Sequence, residues 1–412
     1  MSRILESLAV VLPRYGESLG GGAEALVRAL AERLIPANHG SGIVRNLEVW
    51  TTCALDHRTW ENAISPGTSV DNGITVRRFP VDPRNLEVFV CCEHALQSGR
   101  PLSLDEQLAW LSESVNSKEL YAHIVQNGHQ FDAILFAPYL FATSFWGSLI
   151  YPEKSILLPC LHNESYAYLD VFHHQFHSVR GLLFNSASEM ELACGLYGIN
   201  DAEICSAVVG MGFDEPDGVL PRRTERVDEA PYLLYSGRKE TGKNLDFLLE
   251  CFGKYREQHP RSNVELRIIG SGEITFLNTL PGNVLDLGFV SENEKKHLMR
   301  NALALCQPSV NESFSIVLME AWLERSPVLV HGDCAVTRRH AVDSGGGLFF
   351  TSPEEFSAVV NELVETPALA LKLGESGYRY VRSVYNWVSV LGRFSDAMRR
   401  FGFSGPQRES HP

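Results

Sequence analysis

The sequence predicts an α/β protein made of two Rossmann-like, doubly wound parallel sheets that face a cleft. Three observations lead there. Short apolar runs alternate with helical periodicity almost from end to end. Several of these runs, 131–138 (FDAILFAP), 154–162 (KSILLPCLH) and 180–186 (RGLLFNS), are continuously apolar, as parallel strands buried on both faces must be. The alternation lapses at 213–231, where Pro, Asp, Glu and Arg replace the apolar periodicity and read as a linker between two βα series.

The elements follow in order. In the first series, 8–13, 46–52 and 73–79 read as strands beside the three buried runs. Helical periodicity covers 21–34, 103–127 and 187–198. In the second, strands fall at 231–238, 264–273, 283–290, 301–309 and 326–332. Helices fall at 243–260, where a proline ends the pattern, and at 291–300, 315–325, 352–365 and about 368–400. This divides the chain into 1–212, 213–380 and a closing segment 381–412 whose tail, 403–412, reads as loose.

The chain has 412 residues, with 36 Lys and Arg against 50 Asp and Glu, a net charge of −14. Such a surface argues against nucleic acid as a partner, which needs clustered cations, and leaves membrane contact at most peripheral. The nine cysteines are odd in number and form no C-x-x-C pair, which fits free thiols in a reducing compartment. The apolar run at 8–12 is too short for a secretion signal and no stretch approaches a spanning helix, so a cytoplasmic protein is expected.

Four segments can carry chemistry. In NESFSIVLMEAW (311–322), Glu312 lies in a loop after a strand, Ser313 or Ser315 can cap the helix that follows, and Glu320 falls about two turns in. At ~1.5 Å per residue the two carboxylates span ~12 Å, the reach from a sugar to the ribose of a sugar nucleotide. Free N–H groups at the helix start between them suit phosphate. Spacing alone also fits a surface helix with one capping and one solvated glutamate. In YSGRKETGKN (235–244), a turn at Gly237 releases Arg238 and Lys243 at a strand's carboxyl end, either a diphosphate clamp or a solvated turn.

Gly20, Gly21 and Gly22 precede a helix, where backbone can approach an anion closely. With Ala25 they fit G-x-G-x-x-A, but they lie too far from the strand for a dinucleotide fingerprint. His162 and Glu164 emerge at the end of a buried strand. His173 and His177 are four apart and can share a metal if their stretch is helical, but no matching acidic or cysteine ligand accompanies them. The chain contains no D-x-D, so no metal site is expected and cations and helix dipoles are left to neutralise a diphosphate.

Taken in this order, the set resembles the retaining glycosyltransferases of family 4, which have the GT-B fold. The resemblance rests on Gly21-Gly22, His162, Gly237-Arg238 with Lys243, LRIIGSGE, and Glu312-x7-Glu320 followed by Pro327-Val328. It runs from about 12 to 390 and is densest in the second half. It implies that Arg238 and Lys243 neutralise the donor diphosphate, Glu320 binds the ribose hydroxyls and Glu312 touches the donor hexose. Ser313, Phe314 and Ser315 would present backbone N–H groups, Gly22 would let its loop close, and His162 would lie near the reacting carbon. Two departures stand out. Ser315 replaces a frequent Gly, and Arg325 replaces the usual Gly before Pro327, so that helix needs a different cap.

The implied function is transfer of a hexose from a nucleotide-diphosphate sugar, UDP- or GDP-linked, to a hydroxyl of a glycan, lipid-linked or small-molecule acceptor, with retention and without a cofactor. The alternatives are a nucleotide-sugar epimerase or other enzyme of the same fold, a non-enzymatic nucleotide-sugar or glycan-binding protein, and a nicotinamide oxidoreductase.

Overall fold

The computed structural model describes residues 4–16, 21–36, 41–200, 203–215, 230–274 and 283–403. Most of the expected linker, the expected tail beyond 403, and Gly20 lie outside them. The chain divides into two compact units, Met1–Gly212 with Trp387–Pro412, and Phe213–Asn386.

In the first unit the elements run β1 (Leu5–Val11), α1 (Gly22–Leu34), β2 (Val44–Thr52), β3 (Gly67–Asp71), β4 (Ile74–Phe79), α2 (Leu86–Gln97), α3 (Leu104–Ser112), α4 (Lys118–Asn127), β5 (Ala133–Phe136), α5 (Ala142–Ser148), β6 (Ser155–Leu157), α6 (Asp170–Ser178), β7 (Gly181–Phe184), α7 (Ala187–Tyr197) and β8 (Cys205–Val208). Strand order is β3-β4-β2-β1-β5-β6-β7-β8, parallel except for the β3–β4 pair at one edge. The order reverses between β1 and β5, whose residues 8–11 and 133–136 are apolar and buried throughout. Side-chain caps set the ends of several helices. Ser186 accepts from Glu189 N to open α7, and Gly198, at φ 65°, closes it.

In the second unit the elements run β9 (Tyr232–Ser236), α8 (Leu245–Gln258), β10 (Glu265–Ile269), β11 (Val284–Gly288), α9 (Glu292–Asn301), β12 (Ala304–Gln307), α10 (Ile316–Leu323), β13 (Val328–His331), α11 (Ala335–Ser344), β14 (Gly347–Phe350), α12 (Pro353–Glu365) and α13 (Pro367–Val384). All six strands are parallel, in the order β11-β10-β9-β12-β13-β14. The chain then supplies α14 (Trp387–Arg400) to the first unit. There Arg393 Nε donates to Val209 O at 3.0 Å, Arg180 Nε donates to Phe401 O at 2.6 Å, and Gly212 leaves no room for a Cβ beside the Trp387 ring.

Both predicted parallel sheets are present. Two helices predicted as single are each broken. Within 103–127, Ser117 starts α4 afresh by accepting from Leu120 N at 3.3 Å. Within 368–400, the backbone leaves the helix at Tyr385, and Phe213 N pairs with Tyr385 O at 2.8 Å. Periodicity did not foresee β3, α2, α5, α6, β8, α11 or β14. Among the described residues no helix is long and apolar enough to cross a membrane.

Candidate functional site

In a doubly wound sheet, ligands bind beyond the strand carboxyl ends where the order reverses. In the second unit that point lies between β9 and β12. The loop after β9 carries Gly237, Arg238 and Lys243, and the loop after β12 carries Glu312, Ser313, Phe314 and Ser315. The turn after β9 is tied to its neighbour. Gly237 N donates to Ile269 O at 3.1 Å, and Lys239 N donates to Ser271 O at 2.9 Å. Gly270 sits at φ 126°, and a Cβ there would lie 2.0 Å from Gly237 O, so the crossing of the two loops requires glycine.

The sequence-predicted cations take different places. Lys243 Nζ reaches Glu312 Oε1 at 2.7 Å and joins the two loops across the reversal point. Gln307 Nε2 donates to the same Oε1 at 2.9 Å. Arg238 lies on the surface of its turn, its guanidinium 3.2 Å from Glu240. Its carbonyl accepts the buried Tyr235 hydroxyl at 2.7 Å. Between them Lys239, which the sequence reading passed over, turns inward and pairs with Asp286 of β11 at 2.6 Å. Glu320 has its partner on α9. Its Oε1 takes Lys295 Nζ of α9 at 2.9 Å. Burial pushes the Glu320 carboxyl up, and Lys295 opposes that push.

The helix start differs from expectation in three ways. Residues 313–315 are not helical, so Glu320 is the fifth residue of α10, little more than one turn in. Ser315 holds the N-cap position but its side chain makes no cap. Instead Gln307 Nε2 lies 3.4 Å from its Oγ. Its backbone is left-handed, φ 69°, a conformation that favours glycine. Thus the helix N-terminus carries no side-chain acceptor from its own cap residue. Phe314 is buried beneath this turn, edge-on to Tyr385 at 5.1 Å and His340 at 5.5 Å, while Ser313 is half-buried.

The other end of α10 corrects a second expectation. Arg325 does not force a different cap. It adopts the left-handed conformation itself, φ 58°, with Arg325 N bonded to Trp322 O and Ser326 N to Ala321 O. Its guanidinium pairs with Glu375 and lies 4.0 Å over the Tyr378 ring, contacts a glycine would lack.

In the first unit the reversal point lies between β1 and β5. Gly21 is the N-cap of α1 and has no side chain to cap with. The Glu24 carboxylate folds back over it and pairs with the buried Arg14, and a Cβ at Gly21 would collide with that carboxylate. Beside Gly22 a Cβ would meet open space. His162 is half-buried on the segment after β6, its Nδ1 4.0 Å from Glu164. Burial pushes the Glu164 carboxyl up to about 7, against a hydrogen bond from the buried Tyr139 hydroxyl at 3.3 Å. The segment is held from below by Glu189, which accepts Leu161 N at 2.6 Å and Asn185 N at 2.5 Å. His173 and His177 do lie on a helix, α6, and stack at 4.5 Å, but His177 Nε2 is 2.7 Å from Tyr197 O.

Sequence reasoning missed Lys239, Lys295, Gln307 and Glu189. Lys239 stands next to Arg238 in a cationic turn and could have been noticed. The others become visible only once the strand order is known.

Residues 219–380 match the family model "Glycosyl transferases group 1". Among curated proteins the chain is similar to "Glycosyltransferase 1 domain-containing protein 1" of Xenopus tropicalis, 24% identical over 42% of this chain and 56% of that protein. The chain spans about half the length of such relatives. Among solved structures it resembles sucrose-phosphate synthase from Thermosynechococcus elongatus, with TM-score 0.69 and 14% identity over 96% of this chain and 99% of that one. It also resembles Anabaena HepE in complex with UDP and glucose, with TM-score 0.65 and 15% identity over 96% and 99%. The fold is that of GT-B glycosyltransferases.

Proposed function

We propose that the chain is a retaining glycosyltransferase that moves a hexose from a nucleotide-diphosphate sugar to an acceptor hydroxyl, with protein cations in place of a metal at the diphosphate. The observation that carries this reading is the Lys243–Glu312 contact at the reversal point of the second sheet, beside the start of α10. An ammonium has three N–H donors, so a lysine bonded to one carboxylate still has two for phosphate oxygens. Arg238, on the same turn, adds a guanidinium fork. The first N–H groups of α10 face negative charge at low reorganisation cost.

In this reading Glu320 accepts the ribose hydroxyls, Glu312 and backbone at Ser313–Ser315 hold the hexose and phosphates, and Gly237 keeps the turn close. In the first unit, Gly21 and Gly22 shape the loop after β1 and His162 meets a sugar hydroxyl. The acceptor oxygen attacks on the face the phosphate leaves. The bond from the anomeric carbon to the phosphate oxygen breaks as the bond to the acceptor oxygen forms, and the acceptor proton passes to the departing phosphate. The protein's share is stabilisation of charge growing on the diphosphate. A double displacement would instead need a carboxylate nucleophile about 5 Å from a second carboxyl. UDP- and GDP-hexoses are the donors considered, and the UDP and glucose bound by HepE favour the former. The acceptor class spans glycans, lipid-linked saccharides and small molecules.

A thermal-shift screen of UDP-, GDP- and ADP-sugars tests the reading directly, because a ligand at 100 times its Kd adds about 2.7 kcal/mol. One nucleotide sugar should stabilise the protein and release its nucleoside diphosphate on incubation, and NMR of the glycoside should show the donor's anomeric configuration. No shift with any of the three would remove the proposal.

A further inference from the structure

Resting on the reading of Glu320 as the ribose-binding carboxylate, we infer that Lys295 is the positioning residue for nucleotide recognition, fixing that carboxylate for the ribose hydroxyls from the neighbouring helix. Lys295 stands at the fourth position of α9, and its ammonium is 2.9 Å from Glu320 Oε1 and 2.9 Å from Glu292 Oε2. The three groups differ in exposure. Glu292 is open to solvent at 73%, whereas Lys295 is 18% exposed and Glu320 30%. Glu320 is therefore the partner that holds the lysine inward, and Glu292 secures it from the solvent side.

A carboxylate has about four acceptor positions, and Lys295 uses one oxygen of Glu320. The pair leaves capacity for two hydroxyls while removing the freedom of the side chain to turn away. A partly buried ion pair like this adds little to stability, since an apolar pair of similar volume serves as well. Its use is electrostatic. Burial pushes Glu320 up, and a protonated carboxyl has an O–H to place and accepts less well. Among the described residues, the charged groups that act most on Glu320 are Lys295, Glu292 and Lys296, all on α9. Lys295 acts most strongly in favour of the ionised form, Glu292 opposes it, and Lys296 assists weakly. In return Glu320 and Glu292 keep the Lys295 ammonium charged against its own burial.

Titration calorimetry with UDP and GDP, each beside its 2′,3′-dideoxy counterpart, tests this at pH 6 and pH 8. The wild type should bind the ribose form of its nucleotide roughly tenfold or more tightly than the dideoxy form, the scale of a hydrogen bond to a charged group. Glu320→Gln should lose that preference. Lys295→Met should reduce it, more at pH 6 than at pH 8, with dideoxy binding unchanged, and Lys295→Arg should keep it at both. In the Glu320→Gln background, Lys295→Met should add nothing. If Glu320→Gln keeps the preference, the reading of Glu320 falls and the inference with it. If Glu320→Gln loses it while Lys295→Met keeps it, or weakens both nucleotide forms alike, the inference alone falls.

Discussion

Replacing Arg238 and Lys243 by alanine should separate two effects that the proposed clamp combines. Arg238 is 41% exposed and its partner Glu240 is also partly solvated. A surface ion pair of this kind contributes about 0–1 kcal/mol. Lys243 is different. Its removal leaves Glu312, 10% exposed, with the Gln307 amide but no counter-charge. Stripping one partner from a fully buried pair costs about 3–5 kcal/mol, and since Lys243 is a quarter exposed we expect about 2. For a unit of this size 1 kcal/mol moves Tm by about 2–4 °C. Arg238→Ala should thus shift Tm by about 4 °C at most, and Lys243→Ala should lower it by about 4–8 °C. In nucleoside-diphosphate release from the donor found by screening, both should fall ~10²–10³-fold, the effect of removing one group that stabilises developing charge. Wild-type turnover in both variants would refute the electrostatic mechanism. A larger loss of stability in Arg238→Ala than in Lys243→Ala would refute the reasoning from exposure.

Other expectations follow from backbone and burial. Ser315→Gly should raise Tm by about 2–4 °C, because a left-handed φ costs a non-glycine residue about 1 kcal/mol and the Gln307 contact it loses is long. Gly374→Ala should lower stability by about 2 kcal/mol in urea unfolding, because its Cβ would lie 2.0 Å from the Arg325 carbonyl and the gain in helix propensity is smaller than that overlap. Glu164 has a folded pKa, about 7, above its ordinary 4.5. The folded state therefore binds its proton more tightly than the unfolded chain. Its contribution is full below pH ~4.5 and is lost as pH rises through ~7, by up to about 3 kcal/mol. Urea midpoints of wild type and Glu164→Gln between pH 5 and 8 should diverge accordingly, and parallel curves would contradict this.

The parallel sheets were legible because strands such as 133–136 and 304–307 are apolar on both faces, which surface elements cannot imitate. Lys243 and Glu312 were legible as residue types at strand ends, but their contact joins positions 69 apart and depends on β9 lying beside β12. Lys295 and Glu320 are hidden for the same reason, being brought together by helices packed side by side. The breaks at 113–117 and 385–386 contain no Gly or Pro, so propensity alone carried the predicted helices through them. Arg325 shows the opposite case. A glycine was expected for its backbone geometry, yet ion-pair and ring contacts of the side chain allow another residue to occupy it.

The placement of α14 bears on how the molecule is made and dissected. The Trp387 ring fills the space over Gly212, Arg33 lies 5.3 Å from that ring, and Phe401 fills the space over Gly181. During synthesis the first unit would therefore wait for α14, which is made after the second unit, to complete its packing. A fragment stopping at 212 would expose both aromatic seats at once and should aggregate, whereas the same fragment supplied with a peptide of residues 387–403 has the means to close them.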